Sequence, residues 1–234
     1  METTLHDIQR RILTELMHHE TEQRYSDLQL PDIENDLYNY HLQNLVKRKL
    51  ISKEGSHYTL TQEGKQLISK FNSLGDVQQF FKVSVALAVF RNDYTEILVQ
   101  KRLRNPFYGD ITSVAGKILY GEKIIDAARR KLLEETNLAA QFSFVGVIRK
   151  IKRSKDNAIL EDTFYHYCIA TDPVGVLIEK NSFGENFWSP ISNFMQWEKE
   201  NNDTGAYDLA IWNRFMKKDF SSFYFEQDVQ IKKY

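Results

Sequence analysis

Six residues between positions 116 and 135 combine a glycine, basic side chains and carboxylates at spacings suited to phosphate or metal: Gly116, Glu122, Arg130, Lys131, Glu134 and Glu135. The stretch from Glu122 to Leu138 is patterned as a helix, with Ile125, Ala128 and Leu132 on one apolar stripe. Lys131, Glu134 and Glu135 stand at i, i+3 and i+4, so they share a face, expected to point outward. Glu134 and Glu135 repel one another unless a cation neutralises them. Helix-borne glutamates beside a glycine loop suit Mg²⁺, which takes oxygen ligands and shares phosphate oxygens with the protein. Glycine lets backbone approach a ligand closely. The same residues also read as an exposed acidic helix face behind a glycine turn, and by themselves they favour that plainer reading.

The spacing says more than the residue types. Gly116, five residues, Glu122, seven residues, Arg130, then Leu132, Glu134, Glu135 and Leu138 resemble the Nudix box, G-x5-E-x7-R-E-U-x-E-E-x-G-U with U aliphatic; seven of its nine specified positions match. Gly109, Ala115 to Ile118, and Glu185-Asn186-Phe187-Trp188 resemble the segments flanking that box. The resemblance spans about residues 81 to 200. It implies a mixed sheet between helices, a nucleoside diphosphate linked to another group as ligand, and hydrolysis with Mg²⁺ or Mn²⁺. Carried over position by position, it implies Glu134 and Glu135 as metal and catalytic residues, with Arg130 orienting a carboxylate. Gly116, Lys117, Glu122, Lys131, Arg102 and Tyr108 are the candidate ligand-binding residues. Phe107 and Tyr108 are candidates to stack on a base.

Two positions depart from the pattern. Asn137 replaces the final glycine, a mild change because asparagine tolerates left-handed backbone. Lys131 replaces a glutamate that, in the family, belongs to the metal-binding set and is often assigned to water activation. A protonated lysine cannot ligate Mg²⁺, and the exchange alters the local charge by two units. Losing a general base commonly costs about 10²–10⁴-fold in rate, and losing a metal costs more. Lys131 could instead act as a point charge against phosphate. A rescuing carboxylate could come from Glu161, Asp162, Glu179 or Glu185, with Glu185 the first choice and placed among the catalytic residues.

Around this helix, residues 81–90 and Ile97 to Gln100 read as a hairpin across an Asn92-Asp93 turn. Leu209, Trp212, Phe215 and Met216 repeat at helical spacing as a closing helix. Residues 220–234 fit an edge strand or a dimer contact. Cys168, the single cysteine, lies in a strand-like run and reads as a small core residue.

The first seventy residues follow another pattern. Leu5, Ile8, Ile12 and Leu16 mark one amphipathic helix, Ser26 is placed to cap a second, and Tyr38, Leu42, Leu45 and Val46 form the buried stripe of a third. Residues 51–60 read as two short strands around a Glu-Gly-Ser turn, and Thr61 caps a last helix in which Gly64 is tolerated. The run Tyr40 to Ile51, with Tyr58 to Thr61, resembles winged-helix transcriptional regulators. That resemblance implies double-stranded DNA as partner, with Asn39, Tyr40, Gln43, Lys47, Arg48 and Lys53 as contacts. Residues 1–75 hold nine Lys/Arg and eleven Asp/Glu, so any basic surface is local, around Lys47 to Lys49 and Lys53.

The whole chain has 31 Lys/Arg against 32 Asp/Glu, which gives no global charge argument for nucleic acid or membrane. One cysteine excludes a disulfide framework. No apolar run approaches the roughly 18 residues of a membrane span and no signal peptide opens the chain, so a cytoplasmic location is expected. The expected architecture is α+β: a winged helix over residues 1–72, a linker over 73–80, a Nudix α/β/α sandwich with mixed sheet over 81–200, and a helix and tail over 201–234. A DNA-binding-like module joined to a Nudix domain lacking a key carboxylate resembles Nudix-related transcriptional regulators. The expected function is a ligand-responsive, homodimeric regulator that binds a nucleoside-diphosphate-linked metabolite with weak or no hydrolysis. The alternatives are an active Mg²⁺-dependent pyrophosphohydrolase with an accessory winged helix, and a purely structural pseudo-enzyme.

Overall fold

The computed structural model describes residues 5–19, 22–69, 71, 80–104, 107–200 and 204–231. Residues 73–79 of the expected linker, and Asn105 and Pro106 of the loop before the glycine strand, fall outside that set. The chain divides into two compact units, Met1–Phe80 and Phe81–Tyr234.

The first unit runs α1 (Asp7–Met17), β1 (Gln23–Arg24), α2 (Tyr25–Leu28), α3 (Asn35–Lys47), β2 (Ile51–Glu54), β3 (His57–Leu60) and α4 (Gln62–Ile68). Its core joins Ile12, Leu13 and Leu16 of α1 to Tyr38, Leu42 and Leu45 of α3 and to Leu28 and Ile51. The Tyr38 hydroxyl donates to Leu28 O at 2.9 Å, which satisfies a polar group in that core. Helix α2 starts one turn position earlier than Ser26 suggests. The Asp27 carboxylate accepts from Arg24 N at 3.3 Å, so Ser26 lies inside the first turn. Gly55, at φ +60°, turns β2 back onto β3, and β1 adds a third strand in the order β1-β3-β2. Thr61 caps α4, accepting from Gly64 N at 3.0 Å. Gly64 is required there, not merely tolerated: a Cβ would fall 2.0 Å from Leu50 O.

The second unit runs β4 (Lys82–Arg91), β5 (Glu96–Arg102), β6 (Ile111–Thr112), β7 (Val114–Lys117), α5 (Ile124–Thr136), β8 (Leu138–Ala139), β9 (Ser143–Arg153), β10 (Ile159–Thr171), β11 (Val174–Gly175), β12 (Gly184–Pro190), α6 (Ile191–Glu200), α7 (Ala206–Met216) and β13 (Phe223–Gln230). Eight strands form one mixed sheet with the path β12-β5-β4-β10-β9-β13, β6 pairing β5 and β7 pairing β4. The β4–β10 and β9–β13 pairs are parallel and the others antiparallel.

Side-chain alternation along the strands builds a core on each face. On one, Val85, Leu87 and Val89 meet Ala127, Ala128 and Leu132 of α5. On the other, Ala86, Ala88 and Phe90 meet Phe194 of α6 and Ile211, Trp212 and Phe215 of α7. The helix pattern at Leu209 to Met216 is therefore α7. Residues 223–230, open on sequence alone between an edge strand and a subunit contact, form β13. Cys168 is fully buried, and burial pushes its thiol up to about 12, which suits a core residue. Among the described residues, no helix is long and apolar enough to cross a membrane.

The ring of His41 on α3 is buried, stacked 4.2 Å from that of His6. Burial, with the neighbouring His6, holds its pKa below the ordinary value. The unfolded chain therefore takes up this proton more readily than the folded one. This contribution to stability is complete above about pH 6.5 and is lost as pH falls from there through the lower folded value. Amide protection of α1 and α3 should accordingly weaken between pH 7 and 5, measured by native-state hydrogen exchange, and His41→Gln should flatten the profile. A flat profile in the parent chain contradicts the assignment.

Candidate functional site

Helix α5 ends where Asn137 takes φ +59° and its N–H bonds Leu133 O at 2.9 Å. Asparagine thus supplies the left-handed cap for which the motif uses glycine. With Ala127, Ala128 and Leu132 against the sheet, Lys131 and Glu135 turn inward rather than outward, while Glu134 stays exposed as expected. Lys131 is 8% exposed and Glu135 0%. Gly116 of β7 makes this possible. A Cβ there would lie 2.1 Å from Lys131 Cε, so the missing side chain is the lane through which the lysine runs.

Lys131 Nζ lies 2.7 Å from Glu135 Oε1 and 3.2 Å from Glu134 Oε2. The contact with Glu135 is a close ion pair set off the hydrogen-bonding direction, because Oε1 accepts no hydrogen bond among the described residues. Arg104 approaches the same oxygen at 3.9 Å, and the Phe183 ring lies 5.1 Å from Lys131 Nζ. Gln100 Nε2 donates to Glu135 Oε2 at 3.1 Å and to Asn186 Oδ1 at 3.0 Å. Asn181 and Asn186 each donate to the Glu135 carbonyl at 2.7 Å. Burial would raise the pKa of Glu134, but Lys131 and Arg130 outweigh it and hold it below the ordinary range.

Arg130 orients carboxylates. It grips Glu122 with two bonds of 2.6 and 2.7 Å, reaches Glu134 at 3.2 Å, and donates to Lys117 O at 3.1 Å. The Arg130 bonds, reinforced by the N–H of Leu119, push Glu122 down to about 2 despite partial burial. Glu122 thereby braces the turn after β7 against α5.

A cavity of about 600 Å³ opens beside this network, on the sheet face that α6 and α7 cover. Eight basic residues line it (Lys82, Arg102, Arg104, Lys117, Arg130, Lys131, Lys150 and Lys152) against four acidic ones, Asp110, Glu161, Glu198 and Asp208. Of the ligand-binding candidates, Arg102, Gly116, Lys117 and Lys131 line it, while Glu122 and Tyr108 do not. Tyr108 is 55% exposed on its loop; Phe107 does line the cavity, its ring 4.2 Å from Lys152 Nζ.

Glu185 lies elsewhere. Strand alternation points Asn186 at α5 and turns Glu185 to the other side, beside Lys101, where it pairs with Lys180 at 2.8 Å. Asp162 similarly pairs with Arg149, on the opposite face from Glu161. Sequence reasoning passed over Gln100, Asn181 and Asn186. Asn186 was within reach of it, since period-two alternation alone forbids residues 185 and 186 from sharing a face.

The first unit carries a second candidate surface. Asn39, Tyr40, Gln43 and Lys47 are exposed on α3, and Asn39 and Gln43 line a groove with Lys53, Gly55 and Ser56 of the β2–β3 turn. Lys53 Nζ lies 5.6 Å from the Tyr58 ring. Arg48 departs from the expected cluster: it turns toward α1 and donates to Gln9 Oε1 at 3.2 Å.

Mg²⁺ is the ion the motif resemblance implies, and the residues do not fit it. An ammonium already stands 2.7 Å from the buried Glu135 oxygen that would have to ligate it, and Glu134 is shared with Arg130. Among the described residues, no three Asp, Glu, His or Cys side chains gather as a ligand set.

The NUDIX domain family model matches residues 81–209, more than half of the chain. Among solved structures, the chain is similar to the mutator MutT protein from Bacillus halodurans, at 17% identity over 63% of this chain and 90% of that one, with a TM-score of 0.52. It is also similar to a MutT NUDIX hydrolase from Burkholderia pseudomallei (23% identity, 49% of this chain, 86% of that one, TM-score 0.43). A third similarity is to the NUDIX domain of Shewanella oneidensis NrtR complexed with ADP ribose (16% identity, 68% of this chain, 99% of that one, TM-score 0.49). At 17% identity the first likeness speaks to fold, a mixed α/β arrangement around a mixed sheet. No curated protein matches the chain.

Removing one partner of a buried ion pair strands the other. Lys131→Met, close to isosteric, should destabilise the second unit by roughly 3–5 kcal/mol at pH 7, read from urea unfolding followed by tryptophan fluorescence. A loss below about 1 kcal/mol, the range of exposed pairs, would show that Glu135 does not depend on this ammonium.

Proposed function

The chain belongs to the NUDIX family over residues 81–209, and on that premise we propose that its second unit binds a nucleoside-diphosphate-linked metabolite and hydrolyses it weakly or not at all. The observation that carries this is Lys131 Nζ at 2.7 Å from Glu135 and 3.2 Å from Glu134. Nudix hydrolases generally use Mg²⁺ or Mn²⁺, which supplies charge to the diphosphate and activates water. Here the acids are neutralised from within by a group that can neither coordinate a metal nor, while protonated, accept a proton. What remains is suited to holding. The cavity, about 600 Å³, lies in the size range of small-molecule sites. Eight basic residues against four acidic ones favour an anion, and Phe107, Tyr165 and Trp212 offer apolar surface to the rest of a nucleotide.

The first unit is, on this reading, a winged helix: α3 is the recognition helix, with Asn39, Tyr40, Gln43 and Lys47 toward the major groove, and the β2–β3 turn with Lys53 is the wing. Exposure of those side chains supports the assignment. The whole is a ligand-responsive transcriptional regulator acting as a homodimer, in which metabolite and DNA favour different arrangements of the two copies.

Two measurements test this. Calorimetry with ADP-ribose, nucleotide sugars and dinucleoside polyphosphates should show binding, with turnover in Mg²⁺ at least about 10²-fold below ordinary enzymatic rates. Turnover at ordinary rates refutes the reading. Lys131→Glu should raise Mg²⁺ affinity and increase hydrolysis by about 10²-fold or more; no gain in either shows that the role given to residue 131 is wrong. A gel shift on the chain's own upstream DNA should respond to whichever metabolite binds, and no shift in any condition removes the DNA-binding part.

A further inference from the structure

The basic lining of the cavity falls into two groups. One surrounds α5: Lys117, Arg130 and Lys131. The other lies on the sheet floor, where Lys82 of β4 and Lys150 of β9 stand in register on either side of Thr163 of β10. Lys152, two residues along β9, points to the same face. The floor is buried: Lys150 is 7% exposed, Lys152 2% and Thr163 1%.

Its carboxylates are turned onto the chain's own cations. Glu161 meets Lys82 at 2.5 Å and Lys152 at 3.3 Å. Asp208 Oδ2 meets Lys150 at 2.9 Å and accepts from Gly205 N and from Gln227 Nε2. Glu198 comes from α6 and accepts from Thr204 at 3.1 Å. Around the floor, the three ammonium groups face three carboxylates, Glu161 of the sheet, Glu198 of α6 and Asp208 of α7. Between them Thr163 Oγ1, facing the cavity, has no hydrogen-bond partner among the described residues. A buried hydroxyl without a partner is disfavoured unless something in the cavity meets it.

Thr163 lies two strands from β7 and three residues along from the Gly116–Val85 row. At about 4.8 Å per strand and 3.3 Å per residue this is roughly 14 Å. A diphosphate held beside Lys131 does not reach that far, so a different group of the ligand must occupy the floor.

We infer that Lys82, Thr163, Lys150 and Lys152 form a second anion subsite, and that the ligand is a nucleoside-diphosphate derivative carrying a further oxyanion, a phosphate monoester or a carboxylate, at its far end. This rests on the ligand-binding reading above and specifies the ligand's class. Thr163 donates its hydroxyl proton to that oxyanion while the lysines supply charge-assisted hydrogen bonds.

Calorimetry on the full chain, with ligand pairs differing by one anion, tests it. The pairs are NAD⁺ with NADP⁺, dephospho-coenzyme A with coenzyme A, and UDP-glucose with UDP-glucuronate. In at least one pair the extra anion should tighten binding about tenfold or more. Lys82→Gln and Thr163→Val should each cut that ratio at least about threefold. The Lys82 side chain is 41% exposed, so its variant should fold, and thermal melting checks both. A gain in a phosphate pair assigns a phosphate monoester, and a gain with glucuronate alone assigns a carboxylate. If ADP binds but no pair shows a gain, the second subsite is refuted while the diphosphate reading stands. If neither ADP nor any pair member binds, both fall. A gain that both variants leave intact refutes the residue assignment.

Discussion

A buried positive charge within reach of a buried negative one sets the terms for the second unit. Glu135 is fully enclosed, and a carboxylate in that position is tolerable only if paired and hydrogen-bonded. Lys131 supplies the pairing and Gln100 a hydrogen bond. The cost of desolvating both ions makes this arrangement poor evidence for extra stability, but it strongly penalises losing either partner. Several neighbouring choices follow from accommodating it. Residue 116 must lack a Cβ, Asn181 and Asn186 must hold the Glu135 carbonyl, and Asn137 must end the helix just beyond.

The two charged clusters of α5 divide the work. Arg130 and Glu122 brace the helix against the turn after β7, with bidentate geometry that fixes direction as well as distance. Lys131 and Glu135 face the interior. The brace keeps all the motif's spacing, whereas the interior pair departs from it at one residue. On the proposed reading the motif persists as architecture while its chemistry differs, because Gly116, Arg130 and Glu122 serve packing and orientation whichever ion sits among the acids. The helix stays in register, and the cavity beside it stays open and basic.

Much of this was legible in the residues. The 3.6-residue stripe of Ile125, Ala128 and Leu132, the turn at Asn92 and Asp93, and the closing helix around Trp212 all carried periodicity strong enough to locate elements. Tolerance of asparagine for left-handed backbone anticipated Asn137. Other features were hidden for definite reasons. The face of α5 bearing Lys131 reads as solvent-exposed because lysine and glutamate are rarely buried unless paired, and pairing is a tertiary fact. Glu185 drew notice by its place beside Trp188, yet strand alternation gave the inward position to Asn186. Lys150 and Lys152 lie in β9, where the run Arg149-Lys150-Ile151-Lys152-Arg153 resembles the charged, exposed end of a strand. Only the placement of α6 and α7 over that face, which local pattern does not supply, makes Lys150 and Lys152 interior.

A lysine in the metal's stead also changes what a pocket can report. Occupancy of a metal-dependent site depends on two concentrations, ion and metabolite, and the acids must be held together against their repulsion until both arrive. Lys131 is covalently present, so the acids are neutralised and the cavity keeps its shape before any ligand enters. Less ordering remains to be done on binding, which is the general route by which preorganisation strengthens affinity. On the proposed reading this would be a loss for a site that cleaves its ligand, since Lys131 would stand in place of the anionic base and the Lewis acid. For a site whose task is to register how much of a nucleotide derivative is present, dependence on that derivative alone is the simpler response. The proposed coupling to DNA requires only that the metabolite bind one arrangement of the two copies better than the other. A fixed internal cation satisfies that requirement without any catalytic step.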